Sequence, residues 1–203
     1  MIFRLLSFGV FVAVLGFAPS IAAQTSAHAS DKRRQALYAA HRADFDYLLG
    51  DWEFTAESKQ YRKFNGRWSA VRLETGQILD EYRVLGGNGE TIHVTSTVRS
   101  YNSAADRWEL IGMDRGGGLL DFGTAQRVGP EVHLEQKFGV AGGTPITLRI
   151  RYYNIQADRF SWRADRSTDD GKTWTPDFQR IEARRIGPLR SLGALAPAPK
   201  ARN

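Results

Sequence analysis

The chain has 203 residues, with 28 Lys and Arg against 22 Asp and Glu, and no cysteine. The missing thiols exclude disulfides, thiolate catalysis and cysteine-ligated metals, so stability must come from a single hydrophobic core. The basic excess is spread along the sequence and no nucleic-acid-binding module is recognisable, so no nucleic-acid partner is expected.

The first segment reads as an export leader. Arg4 supplies a positive charge, Leu5 to Ala18 form an apolar run, Pro19 breaks it, and Ser20, Ala22 and Ala23 offer small residues for cleavage. That run is too short to span a bilayer, so residues 1–23 are read as a signal peptide. The expected destination is periplasmic or secreted, with no stable membrane anchor after cleavage. Removing the leader takes away one arginine and no acid, leaving a net charge of +5.

Residues 24–43 follow as a linker and a short helix. Thr25 to Ser30 are mostly small residues, and Asp31 to His41 have helix-forming composition with Ser30 placed as an N-cap. From residue 44 to residue 186 the hydrophobic pattern changes to period two, the signature of half-buried strands. Strands are expected near 52–61, 67–75, 77–85, 91–101, 107–114, 118–127, 131–138, 145–155, 159–166 and 174–185. Asn65-Gly66, Gly86 to Gly89, Gly116-Gly117, Gly129-Pro130, Gly139 to Gly143 and Asp169 to Gly171 separate them. Connections this short join neighbouring antiparallel strands, and eight to ten such strands close most economically into one up-and-down barrel. The Pro/Ala-rich residues 187–203 are read as a disordered tail.

Motifs with catalytic or metal-binding associations reduce to structural devices. Ser167 to Trp174 read STDDGKTW, an Asp-box that occurs once here and serves as a hairpin turn rather than a propeller repeat. Gly116 to Gly118 lack the Lys-Ser/Thr of a phosphate-binding loop. The four histidines, His28, His41, His93 and His133, show no metal-ligand spacing, and no nucleophile elbow or catalytic Cys-His pair occurs. Neither a metal nor a cofactor is expected.

The chemical promise lies in aromatic and charged residues on the strands. Glu81, Arg99, Tyr101, Trp108, Tyr152 and Trp162 are the candidate lining residues of an internal cavity. Tyr152 shares a face with Leu148 and Ile150, Trp162 with Phe160 and Ala164, and Arg99 with Tyr101. Cavities of this sort are mostly apolar with a few convergent polar groups.

Four stretches together carry a family resemblance: DFDYLLGDWEF, LDEYRVLGGNGETIHVTSTVRSYNSAADRWELIGMD, ITLRIRYYNI and RFSWRADRSTDDGKTWTPDFQRIEA. Over residues 44–186 the chain resembles a family of bacterial exported proteins of unknown function with a calycin-like (lipocalin-like) barrel. The resemblance implies an all-β fold, a single barrel of eight to ten strands with a short N-terminal helix, and no established activity. It also implies that Trp52 of the Gly-x-Trp start plugs the barrel, with Arg180 or Arg184 stacked on it. The family's final strand often carries a second aromatic and an Asn that this chain lacks around Trp174 to Arg180.

The leading functional expectation is a non-catalytic barrel binding a small, mostly apolar ligand, with Trp52, Glu81, Arg99, Tyr101, Trp108, Tyr152, Trp162 and Arg180 as candidate contacts. One alternative is a barrel enzyme of hydratase, isomerase or cyclase type, using a buried acid at Glu81 or Asp114 whose pKa burial would raise. The other is a filled barrel acting as a structural or partner-binding module, marked by an exposed apolar patch.

Overall fold

The computed structural model describes residues 21–140 and 142–189, with side chains from residue 29 onward. Most of the expected leader and of the expected tail therefore lies outside the described residues. No helix among them is long and apolar enough to cross a membrane.

Ten strands form: β1 (Gly50–Ser58), β2 (Arg62–Arg72), β3 (Ile78–Leu85), β4 (Thr91–Asn102), β5 (Arg107–Asp114), β6 (Gly118–Val128), β7 (Glu131–Phe138), β8 (Ile146–Tyr153), β9 (Arg159–Ser167) and β10 (Thr175–Arg185). Each pairs antiparallel with its sequence neighbours, and β1 also pairs with β10, so the sheet closes into an up-and-down, calycin-like barrel. Closure leaves no free sheet edge. The period-two pattern explains the packing. Along β1, Trp52, Phe54 and Ala56 are buried and alternate with residues on the solvent side.

Two boundaries differ from the sequence reading. A helix α1 runs over Ile21–His41, so the segment expected as a linker is helical and Ser30 lies inside the helix rather than capping it. Seven alanines in this stretch favour helix. Asn65-Gly66 does not turn the chain but lies within β2, while the β1–β2 turn falls at Lys59 to Tyr61. Gly66 is there for space. A Cβ on it would lie 2.1 Å from Phe54 Cζ and 2.2 Å from the Arg83 carbonyl oxygen, so the bare backbone lets the Phe54 ring lie flat across β2.

The Asp-box is the β9–β10 hairpin turn. Asp169 accepts hydrogen bonds from the Thr173 hydroxyl (2.6 Å), the Thr173 N–H (2.9 Å) and the Ser167 hydroxyl (2.7 Å). Those bonds, led by the Thr173 hydroxyl, hold its pKa at about 2. The Trp174 indole donates to the Gly171 carbonyl (2.9 Å), and the Arg149 guanidinium lies 3.8 Å from its ring centroid.

Candidate functional site

The two ends of the barrel are built differently. At one end the chain entering β1 crosses the opening and closes it. Residues Asp46–Leu48 make a single 3₁₀ turn, and Phe45, Leu48 and Leu49 are buried under it. Gly50 then turns the backbone at φ +98°, a conformation glycine adopts without strain. Trp52 follows with no exposed surface, and its indole N–H donates to the Leu48 carbonyl (2.9 Å). Its ring meets Phe160 edge-on at 4.8 Å.

The cation on Trp52 is Arg185, 4.1 Å from the ring centroid. Arg180 and Arg184 are not in this position. Arg185 lies directly opposite Trp52 in the β1–β10 register, whereas Arg184 points outward to Glu53 and exposed Arg180 pairs with Asp177 (2.6 Å). Arg180 is thus on the outer wall and no part of the cavity lining.

Trp108 and Tyr101 also belong to the closed end. Trp108 is buried, meets Phe45 edge-on at 5.1 Å and donates to Asp44 Oδ2 (3.3 Å). Tyr101 stacks on His41 at the end of α1, at 5.2 Å, and its hydroxyl donates to Asp106. Neither side chain lines the central cavity, although both were expected to.

Above the plug the barrel is hollow, with a cavity of about 320 Å³. Its wall is largely aromatic and aliphatic, including Phe64, Trp68, Tyr82, Leu148, Tyr152 and Trp162. Of the eight expected contact residues, Arg99, Tyr152 and Trp162 come together here. His93 on β4 and Tyr61 in the β1–β2 turn are both exposed and also line the same cavity.

The polar centre of the cavity is a buried ion pair. Arg99 is 2% exposed and Asp80 1%, and Arg99 Nε donates to Asp80 Oδ2 (2.6 Å). The Trp68 indole N–H donates to the other carboxylate oxygen, Asp80 Oδ1 (2.8 Å). Burial works against the Arg99 charge, but Asp80, together with Tyr152 and Tyr47, more than offsets it and the guanidinium pKa rises. The Phe45 ring stacks against the guanidinium at 5.0 Å. Arg99 Nη1 has no hydrogen-bond partner, and the buried Tyr47 hydroxyl likewise has none. Burial pushes the Tyr152 hydroxyl well above its ordinary pKa, so it stays protonated beside the pair.

A second acid, Asp121, is buried in the same wall. Burial raises its pKa to about 6, against a hydrogen bond from Gln136 Nε2 to Oδ1 (3.0 Å) that lowers it. Gly112 makes room for this carboxyl, since a Cβ there would fall 2.0 Å from Asp121 Oδ2.

Both acids expected from the sequence lie elsewhere. Glu81 points out of the barrel and pairs with Arg83, because Asp80 and Tyr82 occupy the inward positions of β3. Asp114 ends β5 and accepts from the Arg115 N–H (2.8 Å), outside the cavity lining. Asp80 and Asp121 were missed. The signal for Asp80 was its place two residues from Ile78 and Tyr82 on one strand face. Among the described residues, no cluster of His, Asp and Glu could hold a metal ion.

No protein-family model matches the chain, and no curated protein sequence matches it. Among solved structures, a redesigned β-barrel is similar over 69% of this chain and 92% of its own, at 9% identity and a TM-score of 0.37.

Proposed function

We propose that this chain is an exported, non-catalytic barrel that holds a small, mostly apolar molecule with a polar head in its cavity. The observation that carries this reading is the hollow, largely aromatic cavity with the buried Arg99–Asp80 pair as its polar centre, a mostly apolar concave site with few polar groups. The volume of about 320 Å³ is at the small end of ligand pockets, which suits a compact molecule. The leader-like residues 1–23 support export. A filled barrel serving only as a partner module would need no such cavity.

The test is native mass spectrometry of protein purified from its exported compartment, followed by extraction of whatever is bound. The expected result is a stoichiometric small molecule, lost when Thr95→Trp puts a larger side chain into the cavity. A bare mass, together with no uptake from a panel of apolar molecules with polar heads, would overturn the reading.

One observation favours a second reading, a barrel enzyme of hydratase, isomerase or cyclase type. Asp121, with a pKa of about 6 in an apolar cavity, is poised to give and take a proton near neutral pH. It replaces Glu81 and Asp114 as the acid of that scheme. Turnover abolished by Asp121→Asn with ligand binding retained would establish this reading over the first.

A further inference from the structure

Four inward positions of the barrel stand in one row. Asp80 on β3 lies opposite Thr97 on β4, Thr97 opposite Gly112 on β5, and Gly112 opposite Asp121 on β6. Two carboxyls therefore stand at one level of the wall, and both residues line the cavity. Gly112 shares the inward face of β5 with buried Trp108 and Leu110. A Cβ on that face would meet Asp121 Oδ2 at 2.0 Å and Oδ1 at 2.9 Å, so the carboxyl lies over the inner side of the glycine.

The two acids are partnered unequally. Asp80 has the Arg99 guanidinium at 2.6 Å and the Trp68 indole N–H at 2.8 Å. Asp121 is 3% exposed and accepts from the neutral Gln136 amide at 3.0 Å, and among the described residues it forms no ion pair. Arg99 is the one guanidinium of the lining, and its charge is committed to Asp80. With Asp121 ionised, the lining carries one carboxylate more than it has guanidinium to match. Burial of that carboxylate is costly, and the same penalty raises its pKa to about 6. At pH 7.5 the group is ionised and short of a cation.

An ammonium head supplies what is missing. It brings positive charge and N–H donors to a carboxylate acceptor. The ring faces of Trp68, Tyr82, Tyr152 and Trp162, in the same wall, also favour a cation. A carboxylate head would add a third negative charge where repulsion is less screened than in bulk water. An alcohol head would leave Asp121 without a counter-ion.

We propose that the cavity selects small apolar molecules carrying a protonated amine head, with Asp121 as the counter-ion that receives it. The proposal rests on the ligand-binding reading above and names its ligand class. The apolar part of the ligand lies against the aromatic wall.

The experiment compares decylamine, decan-1-ol and decanoate at pH 7.5, below their micellar concentrations, by calorimetry and tryptophan fluorescence. Decylamine is expected to bind at least about tenfold more tightly than either of the others. Equal or tighter binding of decan-1-ol or decanoate overturns the proposal while leaving the binding barrel intact. Binding by none of the three overturns the ligand-binding reading itself.

Asp121→Asn tests the residue. It removes the charge and keeps the shape, and it relieves a buried carboxylate, so the barrel is expected to fold. The preference for decylamine over decan-1-ol should fall by about tenfold. A folded Asp121→Asn protein that keeps the full preference overturns the assignment of Asp121. Thr95→Trp separates the cavity from the outer wall: decylamine binding that persists unchanged in that variant is binding to surface carboxylates, and it overturns the proposal as well.

Discussion

Arg185 lies across from Trp52 on the β1–β10 seam and holds the plug from two sides. Its guanidinium sits 4.1 Å from the indole centroid, while Nη1 and Nη2 donate to the Leu49 (2.5 Å) and Tyr47 (2.9 Å) carbonyls. Nε reaches the Ala157 carbonyl (2.6 Å) at the neighbouring β8–β9 connection. One side chain thus ties the segment before β1 to the end of β10.

Loss of that side chain should loosen the closed end. Arg185→Ala is expected to cost about 2 kcal/mol, the sum of a cation–π contact and charge-assisted bonds to carbonyls. Arg185→Lys should recover less than half, since an ammonium cannot fork to three acceptors. Trp52→Ala is expected to cost about 3–5 kcal/mol, as for other large buried truncations. Urea denaturation of the three variants checks this, and unchanged midpoints would remove the plug assignment.

The buried pair should behave as a unit. Arg99→Met strands the Asp80 carboxylate with the Trp68 indole as its remaining donor, and is expected to cost about 3–5 kcal/mol. Combining it with Asp80→Leu should recover most of that loss, because two apolar residues leave no uncompensated charge. A double-mutant cycle measures the coupling, and simple additivity would show that the pair is not electrostatically linked.

Asp121 makes stability depend on pH in an unusual direction for an acid. Burial keeps its proton on to about pH 6 in the folded protein, whereas the ordinary aspartate value is 3.8. The folded state therefore binds more protons between those values, and stability is lost as pH rises through the window. From the size of that shift, Asp121→Asn is expected to stabilise the protein by about 2–3 kcal/mol at pH 7.5 and about half as much at pH 5. Denaturation curves at both pH values decide the matter, and a gain independent of pH would mean that the carboxyl does not titrate in this way.

Gly66 offers a packing test remote from the cavity chemistry. Gly66→Ala places a methyl group where the Phe54 ring and the Arg83 carbonyl already sit, and is expected to cost about 2 kcal/mol. Phe54→Leu in the same background should relieve part of the strain. If the single variant melts like the parent, the close approach at Gly66 is not required.

The strand pattern was legible because burial follows period two so closely. The ten strands occur in the expected order, with β2 starting five residues before its expected place, and Trp52 enters the barrel where the Gly-x-Trp start puts it. What the sequence concealed was parity and depth. On β3 the charged Asp80 faces inward beside Ile78 and Tyr82, so reading Glu81 as the inward acid is wrong by one residue, which reverses the face. On β6 the outer wall carries Leu119 and Phe122, 42% and 48% exposed, so the apolar residues advertise the wrong face and hide Asp121. Phe122 belongs to an outer apolar row in which Leu79, Val98, Ile111 and Phe122 align across four strands. Depth is invisible for a different reason. Trp108 and Tyr101 do face inward or toward the plug, yet period two carries no information on which end of a barrel a residue occupies. The Arg185 contact was missed for want of register: one position along β10 separates it from outward-pointing Arg184.

The seam between β1 and β10 has a kinetic meaning. Every other pairing joins strands adjacent in sequence, but this one brings together residues such as Glu53 and Arg184 that are 131 positions apart. The hairpins can zip early at little entropic cost, whereas the seam waits for the rest of the cylinder. Contacts that form after the rate-limiting step leave the folding rate nearly untouched and act on the rate of opening. Arg185, bridging this last-formed junction, is then a latch on the lifetime of the native state: weakening it should shorten that lifetime far more than it slows assembly.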